Sequence, residues 1–289
     1  MANAGSSDRR PSNGLVRFGT SSFSSTDWVG VFYPEGTPPR DFLTHYAKSF
    51  GTVEVDSSYY SVPAASTVDH WAEATPEGFL FSLKFPKSIV HAGKAASPDP
   101  LRLLVPDATY SDRDRFLKVT ERLGDKCGPL LLQFPYLAKR VFEDKQAFLD
   151  RLEAFLSDLP DDRRFAVEIR NKTWLAPVAE LCRRHRAALV TSDQAWMPRP
   201  WEYPRSVPNV TTDYSYVRLI GDREEIEALT QVWNREVIDR GALLEQWAEY
   251  LSGLHGSGVL TLVYINNHFA GFAPATARRL SELFTALIR

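Results

Sequence analysis

Cysteine is scarce. The chain has two, Cys127 and Cys182, and neither stands in a C-x-x-C pair or a Cys/His ligand run. That excludes a zinc knuckle or a disulfide framework read from spacing, and it fits a reducing, cytosolic setting. Long apolar runs are missing too: no stretch of about 18 apolar residues offers a membrane span. An excess of charge of either sign is absent, because the formal net charge is -2. Such a balance gives no sign of a polyanion-coating or membrane-surface protein. It also gives no sign of a basic rim, so nucleic acid is the less favoured partner. Residues 1–14, MANAGSSDRRPSNG, lack the apolar core of a signal peptide and are read as a disordered polar tail. No G-x-G-x-x-G follows the first strand candidate, GTSSFSS from Gly19 is no substitute, and the P-loop signature does not occur. No cofactor is therefore expected.

What is present is apolar material in a regular arrangement. The chain has 289 residues, 44% of them hydrophobic, enough for one large α/β core. Eight strand candidates run Val16–Ser21, Thr52–Asp56, Phe79–Lys84, Pro129–Phe134, Phe165–Arg170, Ala188–Asp193, Tyr214–Leu219 and Leu260–Asn266. Helical patterns separate most of them: Arg40–Phe50, Ser66–Ala74, Asp112–Leu123, Glu143–Leu156, Leu175–Arg186, a long Arg223–Leu254 stretch and Ala275–Ile288. Ser66 followed by Asp69 resembles a capping box, and Pro274 sits where a proline opens a helix. Between Asp193 and Tyr214 the segment QAWMPRPWEYPRSVPNVTTD holds four prolines, which forbid a regular helix there. It reads as an irregular crossover, and its aromatics Trp196, Trp201 and Tyr203 would also suit a lid. The expected fold is a single (β/α)8 TIM barrel over residues 15–289 with an irregular, Pro-rich sixth crossover; an open doubly wound sheet is second.

The strand FAVEIRNKTW, Phe165 to Trp174, raises the functional question. Alternation puts Phe165, Val167 and Ile169 on one face and Ala166, Glu168 and Arg170 on the other. A buried strand that sets a carboxylate beside a guanidinium needs a reason. The same parity argument turns Glu54 and Asp56, Ser82 and Lys84, Gln133, Thr191 and Asp193, Tyr216 and Arg218, and Tyr264 and Asn266 inward. These polar residues collect at the C-terminal ends of the strands, where barrel enzymes carry their sites. Singly, each is as well explained by a structural ion pair, Glu168–Arg170 or Glu54–Lys84. Together they point to a ligand site. His45, His70, His185 and His255 lie in helical patterns and read as packing or surface residues.

The ordered series VRFGTSSF, DWVGVFYP, FGTVEVDSSYYSVP, TPEGFLFSLKFPKSIVH, GPLLLQFPY, FAVEIRNKTW and INNHFAGFAPATA resembles the YecE-like family, domain of unknown function 72, over about Val16 to Ala277. The resemblance implies a TIM barrel broadly similar to those of xylose isomerase and endonuclease IV, and no settled activity. Carried over by position, it implies pocket residues Glu54, Tyr60, Lys84, His91, Gln133, Glu168, Arg170, Asp193, Arg218, Asn266, Asn267 and His268. The chain departs from common family wording at Gly19-Thr20-Ser21-Ser22-Phe23, at Val53-Glu54-Val55-Asp56 and at Arg218-Leu219-Ile220-Gly221.

The expected ligand is a small anionic polyhydroxylated molecule, a sugar phosphate or sugar acid. Lys84, Arg170 and Arg218 would grip the anion, while Gln133, Tyr60, Asn266, Asn267 and His268 line the pocket. Glu54, Glu168, Asp193 and His91 would act as acid and base. A metal-dependent nuclease or isomerase is an alternative, ranked lower because three cations would crowd a divalent ion. A non-catalytic binder of a metabolite or nucleic-acid end is another. Tightly bound zinc is not expected.

Overall fold

A computed structural model describes residues 14–92, 97–142 and 144–289. The tail up to residue 13 and the expected helix start at Glu143 lie outside the described residues. Among the described residues there are eight strands: β1 Val16–Thr20, β2 Thr52–Val55, β3 Leu80–Leu83, β4 Leu130–Gln133, β5 Phe165–Glu168, β6 Ala188–Gln194, β7 Tyr214–Gly221 and β8 Leu260–Ile265. All their pairings are parallel, and they fall within one or two residues of the sequence expectation. Six strands form one sheet in the order β1-β8-β7-β6-β5-β4, and β2 pairs with β3. Single bridges Phe81–Cys127 and Lys84–Leu131 tie β3 to β4.

β1 and β2 meet through a side chain. The Tyr46 hydroxyl accepts from the Thr20 N–H at 2.8 Å and donates to the Thr52 carbonyl at 3.0 Å. Gly19 is required at this seam, because a Cβ there would collide with the Thr52 carbonyl. Tyr46 is buried and stands on the short helix Phe42–Tyr46, whose apolar side faces the strands.

The two faces of the strands pack differently. One face carries Leu80, Leu131, Ala166, Val190, Tyr216 and Leu262 in a compact inner layer. The other carries Val53, Phe81, Leu132, Val167, Leu189 and Val263 against the helices. This is the period-2 division that alternation requires when both faces are buried.

Three helical expectations are corrected. The second helix runs Ala65–Glu73 with Ala64 at the cap and no side-chain cap, so Ser66 does not open it. Asp69 instead takes both prongs of Arg122, one of them at 2.6 Å. The helix expected from Asp112 begins earlier, at Pro106, where a proline fits the first turn. The long Arg223–Leu254 stretch is broken into Arg223–Glu227, capped by Asp222, and Gly241–Gly256. Two one-turn helices, Lys87–Val90 and Asn267–Ala270, follow β3 and β8 and escaped the periodicity reading because one turn has no period. The crossover from β6 to β7 holds one 3-10 turn, Pro200–Glu202, among its prolines. Among the described residues no helix is long and apolar enough to cross a membrane.

Candidate functional site

The inner layer becomes polar towards the C-terminal ends of the strands. Arg218 of β7 is 1% exposed and fills this level. Its Nη2 donates to Glu54 at 2.8 Å, and its Nη1 donates to Gln133 at 2.9 Å and also to Glu168. Tyr216 donates to the second oxygen of Glu54 at 2.7 Å, and Arg170 Nε donates to Glu168 at 2.8 Å. Lys84 lies 3.4 Å from Glu54 and pairs with Asp56. The result is one chain of alternating charge: Asp56, Lys84, Glu54, Arg218, Glu168, Arg170. It contains three carboxylates and three cations, so it is neutral as a whole.

Its electrostatics follow from burial and pairing. Burial alone would raise the Glu54 pKa, but attraction by Arg218 and Lys84 outweighs it and holds the carboxyl well below the usual range. The same contest, won by Arg218 and Arg170, lowers Glu168. Burial would lower Arg218, and Glu168 and Glu54 raise it instead. Desolvation and the neighbouring Glu54 push the Tyr216 phenol well up, so Tyr216 remains a donor. Both buried glutamates are therefore fixed as carboxylates at neutral pH.

Asp193 does not join this chain. In β6 it is Ala188 and Val190 that face the inner layer, which turns Thr191 and Asp193 to the helices. Asp193 accepts from Trp247 Nε1 at 2.8 Å and from Arg199 Nε at 2.9 Å. Trp201 packs edge-on against Trp247 at 5.1 Å. These contacts pin the Pro-rich crossover to the helix Gly241–Gly256. The inward placement expected for Asp193 is corrected: strand β6 reads ALVTSDQ, and its apolar start does not mark either parity.

The remaining candidates lie in three places. His91 is buried at the end of the helix Lys87–Val90, and Tyr60 is 81% exposed beyond β2. Asn266, Asn267 and His268 follow β8 and line a cleft of about 250 Å³ at the C-terminal ends of β1 and β8, with Ser21, Trp28, Asp56 and Trp233. The Asn266 side-chain oxygen Oδ1 accepts from the His268 backbone N–H at 3.0 Å and faces His268 Nδ1 at 2.7 Å. The Asn267 side-chain oxygen Oδ1 accepts from the Ala273 backbone N–H at 3.0 Å. His268 Nε2 lies 3.2 Å from Glu227, and Trp233 meets the imidazole edge-on at 4.9 Å. Asp56 belongs to both the cleft and the charged chain, and so connects them.

Sequence reasoning had not placed Ser21, Trp28 or Trp233 at the site. Trp28 lies in the DWVGVFYP motif, but nothing in a one-dimensional pattern says whether an indole N–H finds a partner. In FAVEIRNKTW, Asn171 is structural: its amide exchanges two 2.9 Å hydrogen bonds with the backbone of Leu137. A larger cleft, about 850 Å³, lies at the opposite, N-terminal ends of the strands between Cys127, Arg164 and Tyr214. The smaller one is the better candidate, because it meets the charged chain and contains two buried polar atoms, Ser21 Oγ and Trp28 Nε1, without partners among the described residues. Among the described residues no three His, Cys, Asp or Glu side chains are grouped to hold a metal ion.

A parallel α/β protein with its polar groups gathered at the strand C-termini is the class that this fold and site define. The family described as "Protein of unknown function DUF72" matches residues 17–288, and the chain belongs to it. It is 24% identical to the UPF0759 protein YunF of Bacillus subtilis over 292 residues, 93% of this chain and 94% of that one. It is 29% identical to the UPF0759 protein YecE of Escherichia coli K12 over 162 residues, 56% of this chain, and that match spans about half, 51%, of the relative's length. Among solved structures it is similar to a DUF72 family protein, TM1631 of Thermotoga maritima. The TM-score is 0.71 and the identity 27%, covering 93% of this chain and 99% of that one.

Proposed function

We propose that the eight strands close as a (β/α)8 barrel and that the protein binds a small, anionic, polyhydroxylated compound in the cleft beyond β1 and β8, acting on it by acid–base chemistry. The closure reading is supported by the six-stranded run, the β2–β3 pair, the bridges from β3 to β4 and the Tyr46 hydroxyl set between β1 and β2. One observation carries the functional reading: the buried chain of alternating charge surfaces in the cleft at Asp56. There a carboxylate beside Lys84 can accept from ligand hydroxyls and take part in proton transfer. Glu54 and Glu168, held ionised within the chain, position Lys84 and Arg218 rather than donate protons. Arg218 is reassigned with them: its terminal nitrogens are committed to Glu54, Glu168 and Gln133, which leaves the anion to be held by the cleft itself.

A thermal-shift screen tests this reading. Gluconate should raise Tm more than glucose does at equal concentration, with a Kd in the range ordinary for metabolites. Stabilisation by glucose alone, or by neither compound, would count against it.

A further inference from the structure

Two buried donors in the cleft have no partner among the described residues. The Trp28 ring is held by Phe32, Tyr33 and Phe272, with centroids 5.7, 6.0 and 6.4 Å away. Trp28 is 1% exposed, and its Nε1–H makes no hydrogen bond. Ser21 is 7% exposed, and its buried Oγ also makes none. Both residues line the same cleft. A buried polar group without a partner is rare and costly, and an indole N–H can only donate. What is missing is an acceptor.

The rest of the lining points the same way. The side-chain oxygens of Asn266 and Asn267 are already used by the His268 and Ala273 backbone N–H groups, so their side-chain NH2 groups are what remains. The carboxylate of Asp56 is paired with Lys84. Beside that paired carboxylate, the buried donors of the cleft complement an acceptor-rich group. Ser22, next to Ser21, is held at φ 136, a region that few residues other than glycine adopt. Strain of that kind clusters at ligand clamps, where the surrounding structure over-determines it. Here the Thr20 hydroxyl donates to the Ser22 carbonyl at 2.6 Å, and Ser22 and Ser24 share a hydroxyl contact at 3.1 Å.

We infer that Trp28 Nε1–H and Ser21 Oγ–H together hold one oxygen of an oxyanion, the carboxylate or phosphate of the ligand, with the Asn266 and Asn267 amides beside it. This rests on the cleft being the binding site and adds the group that recognises the charge. The oxyanion is held by neutral donors in a partly desolvated site, as it is at helix N-termini and oxyanion holes. The three cations of the buried chain stay with their carboxylates.

The test uses the full chain labelled with nitrogen-15. Trp28→Phe identifies the Trp28 indole N–H signal among the seven tryptophans by its loss. Gluconate, inorganic phosphate and glucose are then titrated into the unmutated protein, and Ser21→Ala is titrated in parallel. Gluconate or phosphate should move the Trp28 indole N–H downfield, glucose should leave it in place, and Ser21→Ala should bind the same anion about tenfold more weakly. Which of the two anions acts separates a carboxylate from a phosphate ligand. If gluconate or phosphate stabilises the protein while the Trp28 signal stays still and Ser21→Ala binds normally, the pair is not the anion holder although the cleft reading survives. If neither anion binds at all, both the cleft reading and this inference fall. Ser21→Ala removes one oxygen from a strand-end loop, so the outcome does not depend on the Trp28 variant folding.

Discussion

Arg218 and Trp28 are equally hidden, each 1% exposed, and they differ in what they bond. Both terminal nitrogens of Arg218 donate to Glu54, Glu168 or Gln133, whereas the Trp28 N–H finds no acceptor among the described residues. The contrast separates two regions that adjoin at Asp56. In one, full charges are buried and paired with each other, with the inner Arg218 Nε lacking a partner among the described residues. In the other, neutral donors are buried and left open. Charge marks the first region in a sequence, whereas the open neutral donors of the second leave no such mark.

The comparison breaks most sharply at Arg218. Arg218→Met would leave Glu54 and Glu168 buried without their shared cation, and removing one partner of a buried pair costs about 3–5 kcal/mol. Urea denaturation should show a loss of that size, with Arg218→Lys recovering only part of it because the two-pronged geometry is gone. A loss under about 1 kcal/mol would mean that the chain of charges is not a structural unit.

Acid should weaken the same region and spare the other. The folded-state pKa of Glu54 is depressed from 4.5 to about 2, so its contribution is complete above about pH 4.5 and is lost as pH falls towards about 2. Glu168 is shifted in the same direction. Unfolding free energy measured across that window should fall with pH in the unmutated protein and fall less steeply in Glu54→Gln. Equal slopes would remove Glu54 from the account.

Asp193 shows where reading the sequence stopped. Glu54, Lys84, Gln133, Glu168 and Arg218 each alternate with bulky apolar neighbours, so their inward direction was legible from the chain alone. ALVTSDQ has apolar residues at both parities in its first half and polar ones at both in its second, so alternation assigned Asp193 to the wrong face. The break after Glu227 was hidden because the segment to Arg240 still contains helix-forming residues without a proline or glycine to interrupt them. The cleft was half legible: INNHFAG named one wall, while the Ser21–Trp28 wall depends on absent partners that no pattern encodes. Asp193→Ala tests the corrected placement. It should cost about 1–3 kcal/mol by stranding the Trp247 N–H and releasing Arg199. It should also quicken proteolysis within residues 195–213 and leave gluconate affinity unchanged. Lost affinity with an unaltered cleavage rate would return Asp193 to the ligand site.

The smallest expected effect lies at the seam between β1 and β2. Tyr46→Phe removes the hydroxyl that joins Thr20 to Thr52 and should cost about 1 kcal/mol. Amide exchange should then rise at Thr20 before it rises in β7. Exchange that rises uniformly instead would argue that the seam is no weaker than the rest of the sheet.

The central claim is that the open donors, rather than the buried cations, take the ligand's charge. A crystal structure of the protein soaked with gluconate tests it most directly. The account predicts the carboxylate within hydrogen-bonding distance of Trp28 Nε1 and Ser21 Oγ, with the ion pairs from Asp56 to Arg170 intact. A carboxylate seated on Arg170 or Arg218, with Glu54 or Glu168 displaced and the Trp28 N–H still without a partner, would contradict it.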